Sequence, residues 1–168
     1  MTQESTVSLV PIGASNLGEV DAVFDELTAY SMHVDGVSRR SGAASALANA
    51  IPPGWTIRDK HAFLARHQGA AVGLLDLIDG YPLRGTAFIG LLAVRESAHG
   101  KGLGRALYLA TEQLARERLG ARTLRLAVVE SNPVIGFWTK MGFRPTGEVK
   151  PYQGEATSSR AVLMEKSL

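Results

Sequence analysis

The residues best placed to do chemistry lie in the segment 93–105, Ala-Val-Arg-Glu-Ser-Ala-His-Gly-Lys-Gly-Leu-Gly-Arg. Gly100, Gly102 and Gly104 alternate with Lys101, Leu103 and Arg105, at the head of a stretch whose apolar residues Leu103, Leu107, Ala110 and Leu114 recur at helical spacing. The first N–H groups of a helix have no partner inside it, and the aligned peptide dipoles place about half a positive charge there. Glycines remove the Cβ atoms that would hold a phosphate away from those donors, and Lys101 and Arg105 add charge. Phosphate binding is therefore predicted. A bare strand-to-helix turn does not need three alternating glycines. Spacing excludes two familiar phosphate loops: there is no G-x-x-x-x-G-K-[ST], and a G-x-G-x-x-G begun at Gly100 or Gly102 meets Arg105 or Leu107 where a glycine or small residue is required. The chain left after Gly104 is also too short for a full dinucleotide fold.

Cysteine is absent, which excludes disulfides, thiolate metal sites and cysteine-linked intermediates. His61 and His67 share strand parity but have no further ligands in the pattern, so no metal site is expected. Groups able to move a proton are Asp76, Asp79, Glu130, Tyr81, Tyr30 and His33. Strand alternation puts Leu75, Leu77 and Asp79 on one face and Asp76 and Ile78 on the other, so both aspartates cannot face one cleft. Glu130 and Asp79 are carried forward as the candidate catalytic carboxylates.

The elements that must position these residues follow from periodicity. Residues 7–12 read as a strand, followed by a helix with Asn16 as N-cap, Glu19 as its capping-box partner and an apolar stripe of Leu17, Val20, Phe24 and Leu27. An Ala-rich helix over 41–50 stops before Pro52 and Pro53. Residues 62–67, 70–78 and 86–94 read as strands joined by turns at Gln68-Gly69 and Asp79-Gly80. Then come a helix (103–119), a strand (123–129), a helix (133–141) and two strands (143–149 and 161–165). Hairpin-linked strands followed by alternating units predict an α/β fold with a mixed sheet. Gly90, inside an apolar strand, marks a bulge or a close backbone approach.

With 168 residues, 45% hydrophobic and 20% charged, the chain suits one domain spanning 1–168. A net charge of +2 gives no reason to expect nucleic acid, and no apolar run approaches a membrane span. Residues 1–7 hold no Lys or Arg, so no leader and a cytoplasmic location are expected. Charge is uneven, however. Residues 1–35 carry six acids and no Lys or Arg, whereas residues 95–125 carry seven Lys or Arg against three acids.

The strand end Leu92-Ala93-Val94 followed by His99-Gly100-Lys101-Gly102-Leu103-Gly104 resembles the pyrophosphate loop, Gln/Arg-x-x-Gly-x-Gly/Ala, of the GNAT superfamily of acyl-CoA-dependent N-acyltransferases. Phe137-Trp138-Thr139-Lys140-Met141-Gly142-Phe143 resembles that family's second signature, an aromatic followed by Glu-Lys-Leu-Gly-Phe, and residues 162–166 its last strand. The motifs cover residues 62–168; the first 60 match by helix order only.

The resemblance implies a central, mostly antiparallel sheet splayed between strands 86–94 and 123–129 and flanked by about four helices. Acetyl-CoA would enter that opening as co-substrate. Its pantetheine arm would run along Leu92, Ala93 and Val94, and its diphosphate would sit on the amides of Gly100, Lys101, Gly102, Leu103, Gly104 and Arg105 beside His99. Ser131, Asn132, Phe137, Trp138 and Lys140 would border the cofactor, and the Leu92 N–H would polarise the thioester carbonyl. An amine, on a small molecule or a peptide, would attack directly. Three positions depart from the family pattern: His99 replaces Gln or Arg, Trp138 stands where some members have an acid tyrosine, and Ser131 replaces a capping Asn that reappears at Asn132. In this family the first helix borders the acceptor, so its acids predict a cationic amine. A homodimer is expected by analogy alone. The competing reading is an acyl-CoA sensor or interaction module without turnover.

Overall fold

The apolar stretches become the inner strands of a seven-stranded sheet of order β1-β2-β3-β4-β5-β7-β6. The strands are β1 (Ser8–Pro11), β2 (Lys60–His67), β3 (Ala70–Asp79), β4 (Thr86–Val94), β5 (Thr123–Val129), β6 (Arg144–Gln153) and β7 (Ser158–Ser167). The helices are α1 (Leu17–Phe24), α2 (Thr28–Asp35), α3 (Ala43–Asn49), α4 (Leu103–Glu117) and α5 (Ile135–Lys140). This computed structural model describes residues 5–168, so the reading of residues 1–7 and the acid Glu4 lie wholly or partly outside the described residues.

Two cores form because strand side chains alternate between the faces. On one face Val20, Val23 and Phe24 of α1 and Ala43 and Leu47 of α3 pack on Leu64, Leu74 and Ala93. On the other, Leu103, Leu107, Tyr108 and Leu114 of α4 and Trp138 of α5 pack on Leu75, Leu77, Ile89, Leu124 and Leu126. Each fully buried leucine contributes roughly 1.5–3 kcal/mol relative to exposure, so the sheet's inner strands carry most of the stability. The hairpin between β2 and β3 is tight because Gln68 and Gly69 both take positive φ, 51° and 80°, matching the twist of the flanking strands.

Two pairing details position the site. Along β3 and β4 the antiparallel register jumps from Asp76↔Leu91 to Leu77↔Ile89, leaving Gly90 as an extra residue. The bulge and the close approach at Gly90 are both present, since a Cβ there would lie 2.7 Å from Asp76 Oδ2. The parallel pairing of β4 with β5 runs only from Thr86↔Thr123 to Ile89↔Leu126, after which β5 continues with β7 as far as Val129↔Ala161. Beyond Ile89 the sheet splits.

Several expectations are corrected. The described residues contain five α-helices, because the chain breaks after Phe24 and starts a second helix, α2, that periodicity does not announce. Asn16 precedes α1 without capping it: its side chain accepts from the Gly13 N–H (2.9 Å) and donates to the Pro11 carbonyl (3.0 Å). Glu19 makes no capping box and is instead bidentate with Arg66 at 2.6 and 2.8 Å. The strand expected over 143–149 extends to Gln153 despite Pro145 and Pro151, which is tolerable because β6 is an exposed edge.

Candidate active site

Where β4 and β5 part, a cavity of about 300 Å³ opens between Leu91–Val94 on one side and Ala127–Val129 on the other. Tyr30, His33 and Val34 of α2 close one end, and Asn132, Phe137 and Trp138 close the other. The β5-facing backbone of residues 90–94 pairs with no strand, so its N–H and C=O groups, apart from the Val94 carbonyl that the His99 ring takes, are available to an extended ligand.

The glycine loop lies at the end of β4. A short 3₁₀ turn, Glu96–Ala98, leads to Gly100 and Gly102 at φ 77° and 74°, the left-handed region, and α4 starts at Leu103. The turn therefore explains two of the glycines. It does not explain Gly104, which lies inside the helix and where a Cβ would meet only the Phe137 ring at an ordinary 3.7 Å. Among the described residues, no acceptor within the fold takes the amides of residues 100–105. Lys101 and Arg105 are exposed beside them. His99 Nε2 lies 2.7 Å from the Val94 carbonyl oxygen. A carbonyl can only accept, so Nε2 carries the proton and the ring ties the strand end to the loop.

The second motif is built differently from the first. Trp138 is buried and makes edge-on contacts with Phe137 (5.0 Å), Phe143 (5.3 Å) and Tyr108 (6.0 Å), so one face packs the core while another lines the cavity. Lys140 is exposed on α5 and does not line the opening. The Ser131 hydroxyl donates to the His33 carbonyl, fastening α2 to the segment before α5, while its neighbour Asn132 borders the cavity.

The two carboxylates carried forward lie elsewhere. Glu130 is held by Arg160 at 3.0 Å, at the end of β5 and outside the cavity lining. Asp79 lines a separate depression with Trp55, Arg84 and Arg122, because it sits opposite Ala87, on the part of β4 that is still paired with β5. Tyr81 packs edge-on against Trp55 and Phe88 in the same region. Tyr30 and His33 do face the opening. Burial, with Tyr152 and Asp35 nearby, pushes the Tyr30 phenol up to about 12, so it stays protonated and is no base at neutral pH. Asp76 lines an adjoining cavity that shares Tyr30, Gly90 and Leu91 with the first.

The acids in and just after α1 have partners within the fold. Asp21 and Asp25 pair with Arg39, Glu19 with Arg66 and Glu26 with Arg95. What sequence reasoning missed is α2, whose Tyr30, His33 and Val34 wall the cavity.

Comparison with known proteins agrees with this geometry. The family model described as Acetyltransferase (GNAT) family matches residues 50–143, more than half of the chain. No curated protein matches significantly. Among solved structures, an acetyltransferase from Thermus thermophilus is 25% identical with a TM-score of 0.75, covering 99% of this chain and 100% of its own. A ribosomal-protein-alanine N-acetyltransferase from Brucella melitensis is 19% identical, TM-score 0.70, covering 96% and 99%. A Bacillus subtilis acetyltransferase in complex with CoA is 18% identical, TM-score 0.65, covering 98% and 99%; these last two show the fold. The chain belongs to the acetyltransferase (GNAT) family and is an acyltransferase.

Proposed function

We propose that the protein transfers an acetyl group from acetyl-CoA to a primary amine by direct attack in a ternary complex. The observation that carries this reading is the parting of β4 from β5 after Ile89, next to a glycine loop whose amides have no acceptor among the described residues. An extended, amide-bearing arm suits the unpaired edge of residues 90–94, and a diphosphate suits the N-terminus of α4 with Lys101 and Arg105. The CoA held by the Bacillus subtilis relative supports the assignment.

In this reading the backbone of Leu92 polarises the thioester carbonyl as the amine attacks. Trp138 has an indole N–H that does not ionise usefully, so it shapes the pocket and gives no proton to the departing thiolate. Water supplies that proton, which a thiolate accepts readily near neutral pH.

Release of free thiol from acetyl-CoA with a panel of primary amines tests the reaction, alongside calorimetry with CoA and with NAD. Amine-dependent release and CoA binding without NAD binding are expected. CoA binding with no thiol release from any amine would favour the sensor reading instead.

A further inference from the structure

On the α1–α3 face of the sheet, a second cavity of about 160 Å³ meets the first at Tyr30, Gly90 and Leu91. Asp76 enters it from β3. Its Oδ1 lies 2.8 Å from the Nζ of Lys60, and the two side chains are 16% and 2% exposed. Oδ2 accepts no hydrogen bond from the described residues and points at Gly90, the extra residue of β4. Any other residue at 90 would put a Cβ 2.7 Å from that oxygen. The bulge thus leaves one carboxylate oxygen bare, against the strand and at the point where it separates from β5.

We propose that Asp76 is the proton acceptor of the transfer reaction and that Lys60 positions it; this inference rests on the acetyl-transfer reading above. An incoming ammonium gives a proton to Oδ2, so an N–H bond breaks and an O–H bond forms. The freed lone pair attacks the thioester carbon, the C–S bond breaks, the nitrogen, now cationic, loses a second proton to water, and the thiolate takes one proton from water. Asp76 then returns its proton to solvent, so that each turnover yields an amide, a free thiol and one proton.

Burial pushes the Asp76 carboxyl up, and the Lys60 ammonium pulls it back only in part, leaving it above the usual carboxylate range. That direction suits a base serving ammonium substrates. The other ionisable groups on this cavity are Tyr30 and Asp35 from α2 and Arg40 just beyond it; α1 and α3 contribute only apolar side chains. Asp35 is turned to its own partners, the Glu155 N–H at 3.3 Å, the Tyr152 hydroxyl at 3.4 Å and Arg40 at 3.9 Å, which leaves Asp76 as the carboxylate at the bulge.

The test compares two nucleophiles by thiol release: the best alkylamine of the panel, an ammonium at neutral pH, and hydroxylamine, which is already neutral there. Asp76→Asn keeps an oxygen for Lys60 and should lower kcat/KM for the alkylamine by about 10²–10⁴-fold while changing hydroxylamine only a few-fold. Lys60→Met removes the cation that lowers the Asp76 carboxyl, so the acid limb of the kcat/KM profile should move to higher pH. If Asp76→Asn melts early, the Lys60→Met/Asp76→Asn double variant, which removes the charged pair together, gives the same comparison. Equal losses on both nucleophiles, or an acid limb unmoved by Lys60→Met, would overturn the proposal. No thiol release by the wild type with any amine would overturn acetyl transfer itself and this inference with it.

Discussion

Gly104 separates the demands of the turn from those of the ligand. Substitutions at Gly100 and Gly102 are confounded, since each takes positive φ and a side chain there adds about 1–2 kcal/mol of backbone strain. Gly104 has helical backbone, and its Cβ would meet the Phe137 ring at 3.7 Å, an ordinary contact. Gly104→Ala should therefore stabilise by about 0.5–1 kcal/mol through helix propensity, raising Tm by a few degrees, about 2–4 °C per kcal/mol for a chain of this size. Gly104→Val also keeps the fold, but its branched methyls stand over the free amides. Losing one charge-assisted hydrogen bond costs about 1.5–3 kcal/mol, which weakens CoA binding by roughly 10- to 150-fold. Calorimetry with CoA and thermal melts on the same samples read both quantities. A Gly104→Val protein that melts like the wild type and binds CoA equally well would refute the placement of the diphosphate.

Three further outcomes are expected. Gly73→Ala puts a Cβ 2.5 Å from the Ala93 carbonyl oxygen and 3.2 Å from Leu107, so β3 and β4 must shift; a loss of about 1–3 kcal/mol is expected in denaturant melts, and an unchanged midpoint would count against the close contact. Trp138→Phe should retain turnover within a few-fold because the indole supplies no proton, whereas Trp138→Ala should cost about 3–5 kcal/mol of stability; a large kcat loss in the Phe variant would contradict the packing role. Burial pushes the Glu112 carboxyl up, but Lys166 at 2.8 Å, the Tyr108 hydroxyl and Arg116 at 3.0 Å more than offset this and hold it below its ordinary 4.5. A depressed carboxyl adds stability above its unfolded value that is lost as pH falls through its folded value. The wild type should then lose Tm below pH 4.5 more steeply than Glu112→Gln; parallel curves would show that the cluster is not linked to folding.

The strands β4 and β5 were legible to the residue because buried strands of a mixed sheet are continuous apolar runs flanked by breakers. The strand-to-helix turn was legible because Gly100 and Gly102 stand just ahead of a helical apolar run, and both take positive φ. Helix α2 was not, since it buries Ser31 and Asp35 and leaves Met32 half exposed, inverting the pattern that marks an amphipathic helix. The pairing of the acids in residues 1–35 was not legible either. Their partners Arg39, Arg66 and Arg95 lie 14 to 69 positions away, and distance in sequence hides such pairing. Strand parity correctly placed Asp76 and Asp79 on opposite faces, yet only the bulge at Gly90 and the end of the β4–β5 ladder show which face reaches the opening.

The offset at Gly90 has a wider bearing. The parting of the two middle strands coincides with a residue count, one more amino acid on β4 than β3 can match, at a position where a Cβ would lie 2.7 Å from Asp76 Oδ2. Other walls of the cleft can therefore change while the offset persists, provided residue 90 stays glycine, and deleting it should restore a regular ladder between β3 and β4 and move the strand edge of residues 91–94 out of place for a substrate.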